Sequence, residues 1–173
     1  MAKKRNSQKQ STRKTTIRYC KIFLLIATAI FFTIVVINNL TDYNSNYQFV
    51  QHVLSMDTTF EGNNLMWRSI TTPIAHHIFY WMIIAWEIII ALYCWIASIN
   101  CIRNIKTKDF EKGLRQGVIG LTLALLLWFL AFITIGGEWF VMWQSPIWNG
   151  QSAALRMFAI NGITLLFLFF KNE

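Results

Sequence analysis

Three ionisable side chains interrupt long apolar stretches of this sequence, and they are the first candidates for chemistry. They are Glu87, Glu138 and Arg156. If those stretches cross a membrane, each charge is expensive in hydrocarbon and needs a partner or a task. We therefore treat all three as candidate functional residues.

Glu138 and Arg156 are expected to form an ion pair. Glu138 falls near the end of the third apolar stretch and Arg156 about one helical turn into the fourth, so their depths should be similar. Glu87 lies deeper, roughly eleven to fourteen residues from the end of its helix, or about 17–21 Å at a rise of about 1.5 Å per residue. The side chain of Arg156 does not easily cover that offset.

Glu87 has no obvious cation nearby. Burial disfavours the charged carboxylate, so we expect this side chain to be protonated or hydrogen-bonded to a neighbour such as Asn161, about 12 Å into the fourth stretch. A structural hydrogen bond and a proton-handling site both fit the residue type and its position. The sequence does not separate these two interpretations.

The three histidines are predicted on the same side of the membrane as the acidic residues Asp42 and Asp57. His76 and His77 are adjacent and point about 100° apart on a helix, so both do not readily bind one ion. For them and for His52 we predict interfacial hydrogen bonding, no metal site and no cofactor, with a quinone or haem as the alternative. The remaining candidate ligand or interaction residues are Tyr80, Arg68 and Trp143.

The composition favours a membrane protein as the frame for these residues. Of 173 residues, 55% are hydrophobic and only 14% are charged, which is too apolar for an ordinary soluble domain. About 20 apolar residues cross a hydrocarbon layer about 30 Å thick. Four stretches qualify, at about 19–40, 73–102, 117–140 and 153–170, and they predict an all-α bundle of four transmembrane helices.

The basic residues are distributed unevenly. Of sixteen lysines and arginines, only Arg68 and Arg156 fall outside the N-terminal region, the 103–116 loop and the C-terminus. By the positive-inside rule, both termini and the 103–116 loop are predicted to be cytoplasmic. Topology and attraction to anionic lipid explain the basic tail, and we expect no nucleic-acid partner. These features favour a multi-pass protein of a bacterial inner (plasma) membrane.

Two domains are expected. Residues 1–16 are polar and basic, a composition that predicts a disordered cytoplasmic tail, and residues 17–173 form the membrane domain. The outer loops are 41–72 and 141–152. The longer loop should be structured, because it has apolar residues at near-helical spacing that predict a short interfacial helix. Those residues are Phe49, Val50, Val53, Leu54 and Met56.

The second and third stretches each have a recognisable inward face. Helical projection of the second places its polar and small residues on one stripe, which must face protein because unpaired polar groups are costly in lipid. The third has a seam of small residues that lets another helix approach closely. The stripe contains His76, Tyr80, Ile83, Glu87, Ala91, Cys94, Ser98 and Cys101, and the seam contains Gly113, Gly117, Gly120, Ala124, Ala131 and Glu138.

The longest polar and aromatic strings are NNLTDYNSNYQFVQHVLSMDTTF, MWRSITTP, YWMIIAWE and GGEWFVMWQSPIWNGQ. They resemble those of a bacterial family, the predicted small integral membrane proteins (domain of unknown function 2165), over about residues 19–170. The resemblance implies a four-span membrane protein and brings no activity, cofactor or catalytic residue. The residues that carry it include Asn39, Asp42, Tyr43, Asn46, His52, Met56, Asp57, Trp67, Arg68, Glu87, Glu138, Trp139, Trp143, Gln144, Trp148, Asn149 and Arg156.

The sequence has no Walker loop, nucleophile elbow, zinc-protease motif or dinucleotide fingerprint, so we lean towards a protein without enzymatic activity. The leading hypothesis is an accessory protein of the lipid bilayer. Its outer segments, 41–72 and 136–152, would dock a lipid headgroup, a partner membrane protein or a second copy of the chain. The alternative is a membrane site for a quinone, an ion, a proton or a lipid, built around Glu87, Glu138, Arg156 and His76.

Overall fold

The computed structural model describes residues 2–170, and the side chains of residues 12–170. All regular secondary structure in the described residues is helical, and they contain no strand. Its helices are α1 (Ala2–Thr41), α2 (Tyr43–Ser55), α3 (Pro73–Arg103), α4 (Phe110–Leu126), which continues as a π-helical segment (Leu127–Trp139), and α5 (Gln151–Leu168). Single 3₁₀ turns lie at Met66–Arg68 and Met142–Gln144.

Four of these helices are long and apolar enough to cross a membrane: Thr12–Thr41, Pro73–Arg103, Phe110–Trp139 and Gln151–Leu168. The predicted four-helix, all-α architecture is confirmed. The second span begins at Pro73, where the absent N–H would have no helical partner in any case. The third begins at Phe110, several residues before the predicted 117, with Glu111 in the first turn, where a carboxylate stabilises the positive end of the helix dipole.

α1 begins well before its apolar part. The sequence predicted a disordered tail over residues 1–16, whereas the described chain is helical from Ala2. Lysine, arginine and glutamine have high helix propensity, and a helix that already exists extends without a new nucleation step. A span behind the tail therefore favours helix in a segment that composition alone assigns to disorder.

α3 is the centre of the bundle, with α1 on one side and α4 on the other. The predicted small-residue seam lies at the α3–α4 contact, where Gly113, Gly117, Gly120 and Ala124 are all buried. A Cβ atom added at Gly113 would be 2.9 Å from the backbone nitrogen of Cys101. This close approach of two helices is the reason for glycine at that position.

The third span changes its geometry at Leu127, where α-helix gives way to the π-helical segment. The sequence projection assumed 100° per residue throughout and placed Glu138 on the seam. A π-helix has i→i+5 hydrogen bonds and a wider turn, so each residue advances by a smaller angle. Gly136 and Gly137 are consequently buried and Glu138 is exposed. The prediction that Glu138 extends the seam is wrong.

The loops at one end of the bundle form a compact cap, which we define as residues 42–72 and 140–150. The predicted helix in the longer loop is confirmed as α2, and its buried residues Val50, Val53 and Leu54 pack on Tyr80 and Ile84 of α3. The other cap segment joins the same core. Its second residue, Val141, has φ 46° and is only 4% exposed. A left-handed valine costs about 1–3 kcal/mol, which its burial offsets.

At the opposite end of the bundle, which we call the basic end, side chains of α1 are hydrogen-bonded to the α3–α4 loop and to the residues that follow α5. Arg18 donates from Nη1 to the carbonyl oxygens of Ile105 and Thr107, at 2.6 and 3.1 Å. Lys21 donates from Nζ to the Phe170 carbonyl at 2.6 Å. The beginning of the first span and the end of the last therefore lie at the same end of the bundle.

The glycine seam gives a direct test of the packing. Gly113→Ala should lower the free energy of unfolding by about 1–3 kcal/mol, because the new methyl group meets backbone of α3. The matched control is Gly162→Ala on α5, where an added Cβ lies 3.7 Å from Leu125. Thermal unfolding in detergent should show a loss for the first variant only. Equal midpoints for the two variants would contradict the close helix contact.

Candidate functional site

The polar stripe of α3 faces the interior, as the sequence predicted. His76, Tyr80, Glu87, Cys94, Ser98 and Cys101 are all buried. Hydrophobic side chains of the same helix, among them Trp81, Met82 and Ile89, are exposed. A span with polar residues inside and apolar residues outside is suited to surrounding lipid.

Glu87 lies in a short chain of side-chain hydrogen bonds between three helices. Its Oε2 accepts from Asn39 Nδ2 of α1 at 2.7 Å, and Asn39 Oδ1 accepts from Asn46 Nδ2 of α2 at 2.6 Å. The Tyr80 hydroxyl donates to the Asn39 carbonyl at 3.3 Å. Glu87 is 3% exposed and Asn46 is exposed, so the chain runs from the interior to the surface of the cap.

The predicted partner of Glu87, Asn161, is wrong. Asn161 donates from Nδ2 to the carbonyl of Met157, one turn earlier in its own helix, at 2.7 Å. When no neighbouring helix offers a partner at the right height, a side-chain amide inside a span can donate its hydrogen bond to a carbonyl of its own helix. Asn39 takes the role instead.

The structure also corrects the predicted position of Glu87 relative to the other helices. Glu87 lies fourteen residues beyond the first residue of α3, yet its partner Asn39 lies two residues before the end of α1. The first turns of α3 therefore extend past the end of α1 and are covered by α2. Glu87 is at the floor of the cap and not in the middle of the bundle.

Glu138 and Arg156 do not join this site. Both side chains are exposed, and the ion pairs within the described residues are His52–Asp57 and Lys112–Asp109. The predicted Arg156–Glu138 ion pair is wrong, because the π-helical segment turns Glu138 away from the face on which the prediction placed it. A ligand site that combines both residues with Glu87 is not assembled.

The histidines have separate partners. His76 Nε2 lies 2.7 Å from the Ile70 carbonyl, and His77 Nδ1 lies 2.8 Å from the Tyr43 hydroxyl. Burial raises the pKa of Tyr43, and its phenol is therefore neutral at physiological pH. No three His, Cys, Asp or Glu side chains among the described residues are placed to hold a metal ion.

His52 and the two acidic candidates also have local partners within the cap. His52 Nδ1 lies 2.7 Å from Asp57 Oδ2, and its ring stacks on Trp148 with centroids 4.6 Å apart. Asp42 Oδ2 accepts from the Ser45 hydroxyl at 2.8 Å, next to the start of α2. These contacts stabilise the cap internally.

Arg68 is the candidate with the most unusual surroundings. Its guanidinium carbon lies 5.1 Å from the ring centroid of Trp67 and 4.6 Å from that of Trp139. Nη1 donates to the Trp139 carbonyl at 3.3 Å. The two tryptophan residues are 70% and 47% exposed, and their rings contact each other edge to face with centroids 5.9 Å apart. A cation held against a pair of exposed tryptophans is a surface feature that internal packing does not require.

The cap residues that sequence reasoning undervalued are those that join its two segments. Gln144 Oε1 accepts from the backbone N–H of Phe60 at 3.2 Å and from Asn63 Nδ2 at 3.1 Å. The Ser145 hydroxyl lies 2.8 Å from that of Thr58. Gln144 was named only through the family resemblance and Ser145 not at all, and neither has a spacing that would reveal these contacts. Trp143 packs edge-on against Phe60 and is 45% exposed.

A comparison with known families agrees with this architecture. The model of the family described as "Predicted small integral membrane protein (DUF2165)" matches residues 17–171. The match includes the apolar part of every candidate span and the entire cap, and it confirms the resemblance found in the polar strings. Neither a curated protein nor a solved structure matched the chain.

The contact between Glu87 and Asn39 separates the two interpretations of the buried carboxyl. Glu87→Gln keeps an acceptor for the Asn39 amide, so its free energy of unfolding should stay within about 0.5 kcal/mol of the wild-type value. Glu87→Leu leaves that amide unpaired and should cost about 1–3 kcal/mol. Unfolding in detergent measures both.

The double variant Asn39→Leu with Glu87→Leu is the control. It removes both partners and should be less destabilised than the sum of the single variants, with a coupling of about 0.6–1.7 kcal/mol. If Glu87→Gln were as damaging as Glu87→Leu, the carboxyl itself would be required and the structural hydrogen bond would not explain it.

Proposed function

The chain belongs to the family of predicted small integral membrane proteins, and we propose that it is a non-enzymatic accessory protein whose cap binds the phosphate of a phospholipid headgroup. The observation that carries the proposal is the position of Arg68 against Trp67 and Trp139, whose rings contact each other edge to face with centroids 5.9 Å apart. A guanidinium presents five N–H donors in a fork that matches phosphate. Nη1 donates to the Trp139 carbonyl and Nε is buried, so a ligand would be bound by the remaining Nη donors.

The location of the cluster favours a headgroup over a partner protein. Trp139 is the last residue of the third span, and Arg68 is five residues before the start of the second. Tryptophan is enriched where a span meets the headgroup layer. An arginine held against two tryptophans at that height would meet lipid phosphate whether or not another protein is present.

The state of the other polar groups supports a binding role without catalysis. Glu87, His52 and His76 each have a hydrogen-bonding partner inside the protein. These hydrogen bonds give each of the three side chains a structural role, and the proposal assigns them no catalytic one. The proposal therefore includes no reaction and no cofactor.

We place the protein in a bacterial inner membrane with the basic end in the cytoplasm and the cap outside. Fourteen of sixteen lysines and arginines lie within residues 3–21, within residues 103–115 or at position 171, and the described Arg18 and Lys21 have their hydrogen bonds at the basic end. Basic residues are retained on the cytoplasmic side of such membranes. The headgroup bound by Arg68 would then belong to the outer leaflet.

Substitution of Arg68 tests lipid binding. Arg68→Gln should weaken binding of phosphatidylglycerol to the delipidated protein by about tenfold or more, because it removes charge-assisted hydrogen bonds worth about 1.5–3 kcal/mol. Native mass spectrometry of the detergent-solubilised protein, titrated with the lipid, gives the bound fraction.

Arg156→Gln is the matched control, since Arg156 is exposed and does not share the tryptophan contacts of Arg68. It should bind the lipid as the wild type does, and diacylglycerol with the same chains but no phosphate should bind equally weakly to all three proteins. Wild-type affinity for phosphatidylglycerol in Arg68→Gln would overturn the proposal.

The orientation is tested by single cysteines in a background with Cys20, Cys94 and Cys101 replaced by alanine. Asn64→Cys in the cap should react with a membrane-impermeant maleimide on intact cells, and Lys106→Cys at the basic end only after permeabilisation. Both positions are exposed in the structure. The reverse pattern would invert the topology.

A further inference from the structure

An apolar cavity of about 150 Å³ lies between α2, α3 and the π-helical segment. It is separate from the Glu87 hydrogen bonds and from the Arg68 cluster, since none of their residues lines it. The lining residues are Phe49, Val50, Val53, Leu54, Phe79, Met82, Ile83, Trp86, Ala131, Phe132, Ile135, Gly136, Phe140 and Met142.

The π-helical segment leaves this space open. Ala131 and Gly136 are the two small residues of the lining, and both lie on that segment. A Cβ atom at Gly136 would be 3.5 Å or more from its neighbours, in ordinary contact. A methyl group would therefore fit at Gly136, and close packing of helices does not require glycine there.

The lining determines which chemistry the cavity accepts. Trp86 is its only residue with a nitrogen or oxygen atom in the side chain, and the rest are aliphatic or aromatic carbon surfaces with two methionine sulfurs. An apolar cavity of about this size stays dry and binds small hydrocarbons. Sites for whole drug-sized ligands are larger, about 300–1,000 Å³, so this cavity accommodates only a segment of a long molecule.

The exposed rim determines where that molecule comes from. Met82 and Ile135 are 56% and 41% exposed, and both belong to candidate membrane spans. Because both stretches are long and apolar enough to cross a membrane, such a rim would face bilayer hydrocarbon. The inner wall is formed by α2, whose lining residues Val50, Val53 and Leu54 are no more than 9% exposed.

We propose that this cavity binds one hydrocarbon chain that enters sideways from the bilayer between α3 and the π-helical segment. The chain is either an acyl chain of a phospholipid or a prenyl tail of an isoprenoid lipid, because both present the same CH₂ and CH₃ surface to the lining. The site needs no contact with Arg68 and goes beyond the headgroup binding proposed above.

Photolabelling in nanodiscs tests the site. The full-length protein is reconstituted in phosphatidylcholine with a phospholipid that carries a diazirine in one acyl chain, and in a second arm with a diazirine-bearing farnesol. After irradiation, mass spectrometry locates the label. We expect label on Val50, Val53 or Leu54, which lipids around the outside of the bundle do not reach. The arm that labels α2 identifies the source of the chain.

Filling the cavity is the decisive step. Ala131→Leu should lower the labelling of α2 by about tenfold, equivalent to about 1.4 kcal/mol of binding. Ala159→Leu, at an exposed position of α5, should leave it unchanged. Label on α2 that is absent in both arms, or that persists in Ala131→Leu, would overturn the proposal.

A second pair of variants protects the test against a folding defect. If Ala131→Leu unfolds at a lower temperature than the wild type, the labelling of α2 is compared between Gly136→Ala and Gly162→Ala instead. An added Cβ makes only ordinary contacts at both of these positions. Gly136→Ala should reduce the labelling of α2 and Gly162→Ala should not. Equal labelling in these two variants would overturn the proposal as well.

Discussion

The length of α3 is the constraint on which the rest of the structure depends. Its 31 residues extend about 46 Å, and the hydrogen bond from Asn39, near the end of α1, reaches it at Glu87, fourteen residues beyond its first residue. Roughly ten residues therefore project beyond the end of α1 and would expose Tyr80 and His76 if nothing covered them. The cap covers them, and the Asn39–Glu87 hydrogen bond marks the height at which the bundle ends and the cap begins.

Features that depend on one helix at a time could be predicted from the sequence. The apolar runs specified four spans, the stripe from His76 to Cys101 specified the inward face of α3, and the spacing of Val50, Val53 and Leu54 specified α2. In each case the periodicity of a helix converts residue type directly into a direction. The small residues of the α3–α4 seam, from Gly113 to Ala124, were also predictable in this way.

Features that depend on the relative height of two helices were not predictable. Counting along the spans made Asn161 a possible neighbour of Glu87, because the count assumed that all spans end at the same level. The offset of α3 and α1 exchanges that partner for Asn39. The prediction for Glu138 failed for a related reason. Nothing in the letters LWFLAFITIGGEW distinguishes a π-helix from an α-helix, and the small change in rotation angle per residue accumulates along the segment. The contacts of Gln144 and Ser145 depend on how two loops fold over each other.

The π-helical segment connects both proposed binding features. In the antiparallel register that pairs Gly113 with Cys101 and Gly120 with Cys94, Leu127 is level with Glu87, so the segment begins where the bundle ends. Its last residue, Trp139, holds Arg68, and its small residues open the cavity. In water an unfilled apolar cavity is costly, but beside a bilayer its rim meets chains as apolar as its own lining. Transfer of a chain into it gains little hydrophobic free energy, so shape and aromatic contact would determine which chain is held.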